Sequence, residues 1–257
     1  MTATPAAQPK TIVITGATGG VGRGIAIACG EVGWEVWIAA RRKTEGERVA
    51  GEVDAAGGRG RFVVCDAGNR EAVDAALDEI LRLSGGIDGI VHNATSGHSP
   101  NPCPLADISL DTLRDHVAVG LRGAYLLARK GHAPLLARRG SFLVLTSEAG
   151  FEGKARLAPY AGVKGAMRGF VRALAREWGP DGIRVNALAP LAASPAMDAA
   201  IENDPALAER VLGRNPLGRL GDATLDIGGA ARFLLSDDAR YITAHTLMVD
   251  GGACPAT

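Results

Sequence analysis

Thr11-Ile-Val-Ile-Thr-Gly-Ala-Thr-Gly-Gly-Val-Gly22 is the stretch on which the fold turns. Residues 12–15 form a β-branched run of the kind that packs in a buried strand. Thr15-Gly16 closes that strand, and Gly20-Val21-Gly22 opens an amphipathic helical pattern running to Glu31. The glycine spacing is G-x-x-x-G-x-G, with Thr18 inside the turn. Glycines keep side chains away from the helix N-terminus, whose free N–H groups and dipole favour anions. The turn therefore reads as a cradle for a dinucleotide pyrophosphate, the alternative being a tight connection without a ligand.

The same alternation continues outward. Apolar runs at 36–39, 62–65, 87–91, 142–146, 184–188 and 246–249 complete a set of seven expected strands. Helical patterns over 20–31, 44–56, 70–83, 110–136, 159–178 and 224–235 separate most of them. Near-continuous apolar strands between helices imply a parallel sheet covered on both faces. With right-handed crossovers, the expected class is α/β, a doubly wound parallel sheet. Residues 1–10 read as a flexible tail and 11–257 as a single domain. Two segments break the rhythm, 94–105 and 191–220, each leaving the carboxyl end of a strand. Ligands of open α/β sheets bind at those ends, so the first reads as a substrate wall and the second as a lid.

Composition narrows the function. Lys+Arg and Asp+Glu are both 28, so no basic surplus argues for nucleic acid or an acidic membrane surface as partner. No run of about 20 apolar residues is present to span a bilayer, and the N-terminus lacks a signal-peptide pattern. A cytoplasmic protein is expected. The four cysteines are scattered without metal-ligand spacing, so they read as buried free thiols and no metal is expected.

The chemistry comes from a second motif, Tyr160-Ala-Gly-Val-Lys164, with Ser147 thirteen residues before the tyrosine. Tyr160 and Lys164 stand at i and i+4, on one helix face. A phenol titrates near pH 10 in water, and a neighbouring ammonium is expected to lower that value, helped by an oxidised nicotinamide. Ser147, at the end of the fifth strand, can hydrogen-bond the same substrate oxygen. The three together point to hydride transfer between a dinucleotide and a carbonyl or alcohol, with Tyr160 as general acid/base. At the end of the second strand Ile38-Ala-Ala-Arg41-Arg42 offers a guanidinium where an acid would select a free ribose hydroxyl. Arg41 thus favours NADP(H), with NAD(H) possible; the alternative is that both arginines are simply solvated. Asp66 reads either as an acceptor for the adenine amino group or as the cap of the following helix.

In this combination the chain resembles the short-chain dehydrogenases/reductases, over nearly everything from Thr11 to Gly252. The resemblance implies a Rossmann-like fold with a seven-stranded parallel sheet. It implies Gly16, Thr18, Gly20, Val21 and Gly22 around the pyrophosphate, and Asp66 and Ala67 near the adenine. It further implies Asn93, Ala94, Pro190 and Ser194 along the nicotinamide half. Tyr160 becomes the acid/base, Ser147 the substrate-orienting residue, and Lys164 the ribose ligand and modifier of the phenol. A homo-oligomer, tetramer or dimer, through the long fourth and fifth helices is expected.

Departures cluster on the cofactor–substrate face. Gly120 stands where the family carries an asparagine whose main-chain carbonyl holds a water linking the lysine to solvent. His116, one turn earlier, reads as a helix-surface histidine. His92-Asn93-Ala94-Thr95 replaces the family's Asn-Asn-Ala-Gly, and Pro190-Leu191 its Pro-Gly. The leading expectation is an NADP(H)-dependent ketone reductase or alcohol dehydrogenase, on 3-oxoacyl or cyclic ketone substrates. The alternative is a weakly catalytic dinucleotide-binding or sensing protein of the same fold.

Overall fold

Every residue of the Thr11–Thr15 strand is buried, and its side chains alternate between two cores. Val13 joins a cluster with Trp37, Ile90, Phe142 and Val185. Ile12 and Ile14 face the opposite side, with Val36, Ile38, Val91 and Leu143. A strand needs a continuous apolar run only when both faces are covered, which is the case here. The computed structural model describes residues 9–99, 101–204 and 206–254.

Seven strands, β1 (Thr11–Thr15), β2 (Glu35–Ala40), β3 (Arg59–Val64), β4 (Gly89–His92), β5 (Ser141–Leu145), β6 (Arg184–Pro190) and β7 (Thr246–Val249), form one sheet. Their order is β3-β2-β1-β4-β5-β6-β7. All neighbours run parallel. The order reverses direction between β1 and β4, which places a crevice outside their carboxyl ends. The Rossmann-like doubly wound sheet expected from the sequence is present. Around it lie α1 (Gly20–Gly30), α2 (Lys43–Ala55), α3 (Arg70–Ser84), α4 (Leu110–His116), α5 (Gly123–Arg138), α6 (Ala149–Glu152) and α7 (Ala158–Trp178). Further on come α8 (Pro195–Asn203), α9 (Ala206–Gly213) and α10 (Gly229–Leu235).

The fourth strand differs from its expected span of 87–91. The Asp88 carboxylate accepts from the Thr11 N–H at 2.8 Å, and the β1–β4 ladder begins with Ile12 opposite Gly89. The strand therefore extends to His92, whose side chain enters the core. The helix expected over 110–136 is interrupted by a π-helical segment, Val117–Arg122, where the Gly123 N–H reaches back to the Ala118 carbonyl. The segment 191–220, read from the sequence as a lid, holds two helices, α8 and α9. Of the expected tail over 1–10, residues 1–8 lie outside the described residues; the Lys10 ammonium is bonded to Asp237 at 2.7 Å. Cys29, Cys65 and Cys254 are buried free thiols as expected, while Cys103 is only half-buried.

The π segment packs directly on α7. A Cβ built on Gly120 would lie 2.5 Å from Val163 Cγ1, so Val163 fills the volume that a side chain at 120 would need. Gly120→Asn is expected to destabilise the fold by about 1–3 kcal/mol through overpacking. Adding Val163→Ala should recover part of that loss in a double-mutant cycle read by thermal unfolding. Strictly additive losses would contradict this packing account.

Candidate active site

The carboxyl ends of β1, β4, β5 and β6 open onto one cleft of about 1240 Å³. Each residue singled out from the sequence as a site residue lines it, from the glycine turn to Ser194. At the nucleotide end, Gly16 and Gly20 have φ of 67° and 53°, a region that favours glycine. The N-cap of α1 is Gly19, with no side-chain cap, and its first turn carries no acid. The exposed N–H groups and dipole there are left for an anion, so the turn fits a pyrophosphate. Asn93 secures this turn by donating from Nδ2 to the Gly16 carbonyl at 2.9 Å, and the Ala94 N–H donates to Thr15 Oγ1 at 3.2 Å.

Arg41 lines the cleft where β2 ends. Arg42 is not simply solvated: it donates to Thr18 Oγ1 at 2.8 Å, while Arg48 Nη2 lies 3.4 Å from the Thr18 carbonyl. Arg48 was not singled out from the sequence, because its position on α2 becomes informative only once the helix turns it toward the glycine turn. Asp66 does not cap the next helix. Asn69 does so, accepting from the Ala72 N–H at 2.8 Å, and Asp66 Oδ1 accepts from the Gly68 N–H at 2.9 Å. Asp66 and Ala67 are thereby held at the cleft wall. Pro190 ends β6, and Ser194 caps α8 by accepting from the Met197 N–H at 3.2 Å.

At the reaction end, Ser147 follows β5 and is held by the Ala149 N–H, which donates to its Oγ at 3.2 Å. Lys164 is buried and donates to the Leu145 carbonyl at 2.7 Å, with Nζ 5.7 Å from the Tyr160 ring centre. Thr146 Oγ1 donates to the Lys164 carbonyl at 2.9 Å, locking that turn of α7 to β5. Burial pushes the Lys164 ammonium down to about 8. The expected acidification of Tyr160 is not produced by the protein's own groups. Burial raises the phenol above its ordinary value, the Ser147 hydrogen bond opposes this, and the Glu148 carboxylate adds to the rise. Desolvation of a neutral-to-anionic titration outweighs the one hydrogen bond.

Two histidines behave differently from the sequence expectation. His116 is no surface residue: it is 7% exposed, with Nδ1 3.0 Å from Ser99 Oγ and its ring edge-on to Tyr160 at 6.4 Å. His92 is fully buried, with Nε2 2.9 Å from the Gly120 carbonyl and Nδ1 3.1 Å from Thr15 Oγ1. A carbonyl only accepts, so Nε2 carries the proton. Burial first, and the Lys164 charge second, push His92 down to about 4. The neutral ring then leaves Nδ1 to accept from Thr15. The Gly120 carbonyl, for which the resemblance implied a water, is bonded to an imidazole of the chain itself. Replacement of the family's first asparagine by His92 was visible in the sequence, but its partner across the sheet was not.

The family model described as Enoyl-(Acyl carrier protein) reductase matches residues 16–254. A 2,5-dichloro-2,5-cyclohexadiene-1,4-diol dehydrogenase of Sphingobium indicum is 33% identical, over 95% of this chain and 96% of its own. The chain belongs to the short-chain dehydrogenases/reductases. It is an NAD(P)-dependent enzyme of that family. Among solved short-chain dehydrogenases/reductases, the 3-ketoacyl-(acyl-carrier-protein) reductase of Brucella melitensis, complexed with NADH, superposes with a TM-score of 0.86 at 32% identity, covering 96% of this chain and 98% of that one. An NAD(P)-dependent gluconate 5-dehydrogenase from Beutenbergia cavernae with bound NADP gives 0.87 at 34%, covering 95% and 96%. Among the described residues, no helix is long and apolar enough to cross a membrane.

The buried His92 has a consequence for acid stability. Its folded value of about 4 lies below the ordinary 6.5, so the unfolded chain binds the extra proton between those limits. Its contribution is fully present above pH 6.5 and is lost as pH falls toward 4, about 3 kcal/mol in all. His92→Gln should flatten the fall of Tm between pH 6.5 and 4. An unchanged slope would contradict the neutral, clamped imidazole.

Proposed function

We propose that the protein is an NADP(H)-dependent carbonyl reductase or secondary-alcohol dehydrogenase in which Tyr160 is the general acid/base. The observation that carries this reading is Ser147, Tyr160 and Lys164 lining one cleft, with the buried Lys164 ammonium one turn further along α7 and 5.7 Å from the Tyr160 ring centre. A bound nicotinamide dinucleotide supplies or accepts the hydride. The chain's own residues do the rest. In reduction, the Tyr160 hydroxyl donates its proton to the oxygen that becomes the alcohol, and in oxidation the phenolate takes it back. Ser147 donates to the same oxygen and orients it. Lys164, anchored to the Leu145 carbonyl, offsets the negative charge of the phenolate that proton donation leaves behind.

Support for NADP(H) comes from the guanidiniums at the end of β2. Arg42 and Arg48 engage Thr18, while the Arg41 guanidinium has no hydrogen bond or ion pair among the described residues. A charged hydrogen bond to a 2′-phosphate is worth about 1.5–3 kcal/mol, enough to set preference. Helices α8 and α9 act as the lid, since Met197, Leu207 and Val211 line the same cleft as Tyr160. Relatives named for chlorinated cyclohexadienediols and 3-ketoacyl thioesters support a secondary alcohol or ketone as the reacting group.

A dinucleotide-binding protein with little turnover is the second reading, favoured by the Gly120 carbonyl being engaged by His92. Steady-state turnover on a ketone and alcohol panel with NADPH and NADH separates the two. The proposal expects turnover that prefers NADPH at least tenfold, is lost about 100-fold or more in Tyr160→Phe, and loses its NADPH preference in Arg41→Ala. Tight NADPH binding without turnover on any substrate would establish the second reading. Full activity of Tyr160→Phe would overturn the mechanism, and tighter binding of NADH the assignment of Arg41.

A further inference from the structure

Beside Tyr160 the cleft extends into a smaller lobe of about 170 Å³, on the side away from the glycine turn. Asn101, Arg156, Leu157 and Tyr160 line both spaces, so a group in the lobe is attached to whatever reacts at Tyr160. The charges around the cleft are mostly spoken for. Lys154 pairs with Glu148, Arg210 with Asp204, and Lys164 with the Leu145 carbonyl. Of the guanidiniums that line the cleft, two have no hydrogen bond or ion pair among the described residues, Arg41 beside the glycine turn and Arg156 near Tyr160.

Arg156 is held at a backbone cost. Its φ is 65°, in the left-handed region that a residue with a Cβ occupies at about 1–2 kcal/mol. The Arg139 residue with a similar φ closes the end of α5, where that conformation is routine, but Arg156 sits in the loop leading into α7. Its carbonyl accepts from the Cys103 N–H at 2.8 Å, which ties the backbone of this loop to the 101–107 wall of the lobe that Arg156 lines. Strain of this kind collects at ligand clamps. His116, which also lines the lobe, is bonded through Nδ1 to Ser99, and its Nε2 has no hydrogen-bond partner among the described residues. A guanidinium and an imidazole lining one space of a few heavy atoms match a carboxylate, which accepts two parallel bonds from arginine. Asp107 also lines the lobe and, like Arg156, is exposed, so water screens both charges, and the Asp107 oxygens can accept from a substrate hydroxyl.

We propose that this lobe is a carboxylate subsite formed by Arg156 and His116, and that the substrates of the enzyme are hydroxy acids and the corresponding keto acids. The assignment rests on the reading that the reacting oxygen sits at Tyr160. Neutral ketones then occupy the same reacting position without the anchor, and the carboxylate end of the substrate sets its orientation against the nicotinamide half of the cleft.

The test compares 3-oxocyclohexanecarboxylate with its methyl ester as substrates, in wild type, Arg156→Gln and Arg156→Lys. A charge-assisted pair of this kind predicts an acid-over-ester preference in kcat/KM of about tenfold or more. Arg156→Gln should erase that preference by raising KM for the acid, and Arg156→Lys should restore part of it. Equal use of acid and ester by wild type, or an Arg156→Gln loss that falls equally on both, would overturn the subsite. Binding gives a second arm independent of turnover: with NADPH bound, cyclohexanecarboxylate should raise Tm in wild type but not in Arg156→Gln, and cyclohexanecarboxamide in neither. Stabilisation by acid and amide alike, or by neither, would overturn it as well. Tyr160→Phe distinguishes the two proposals, since it should abolish turnover of acid and ester together while leaving the carboxylate-dependent Tm shift intact.

Discussion

The His92 imidazole, with its Nε2–H on the Gly120 carbonyl and its Nδ1 accepting from Thr15, joins the two halves of the site through one ring. Thr15 Oγ1 in turn accepts from the backbone of Asn93 and Ala94, and Asn93 secures the glycine turn. On the other side, Gly120 belongs to the π-helical segment that packs against Val163, the residue before Lys164. The glycine turn, the sheet and the π segment are thus joined by one buried polar chain, and apolar packing on Val163 carries the connection on to the helix that bears Lys164. Each of its groups is satisfied, which is the condition under which such a network rigidifies a site rather than weakening it. A neutral ring suits the role, because an imidazolium there would face the Lys164 charge in a water-free interior.

The site is assembled at a cost to stability. Lys164 titrates near 8 because burial disfavours its charge, so below that value the folded state carries a strained ammonium. Tyr160 is likewise held neutral by burial. The two shifts run in opposite senses on one face of α7, which is the arrangement expected where a proton must be transferred. The phenol is kept as an acid by the protein, and the positive charge that favours its anion is held close without contacting it.

Much of this was legible in the sequence. Strand runs such as Thr11–Thr15 are unambiguous because both faces are buried, and periodicity located α1, α2, α3 and α7 to within a residue, whereas the helix expected over 224–235 is π-helical over Ala223–Gly228 and α-helical only from Gly229. The glycine turn and the Tyr160/Lys164 pair were legible because local geometry alone, one turn or one helix face, gives those residues their meaning. What escaped is what depends on residues distant in the chain. Arg48 gains its place from α2 packing beside the glycine turn, and His116 from the 94–105 loop folding over it. The π segment carries a bond between residues 92 and 120 that no local pattern encodes. Asp66 was ambiguous because aspartate caps helices readily, and the actual cap, Asn69, stands three residues further on.

The central claim is that Tyr160 is neutral in the protein alone and becomes a phenolate only beside a positively charged partner. Only three tyrosines are present, so ultraviolet difference spectroscopy near the tyrosinate band resolves one of them. The account predicts that saturating NADP⁺ brings out one tyrosinate titrating at least one pH unit below that of the free enzyme, and that Tyr160→Phe removes the signal. A titration unchanged by NADP⁺, or a signal that survives in Tyr160→Phe, would contradict it.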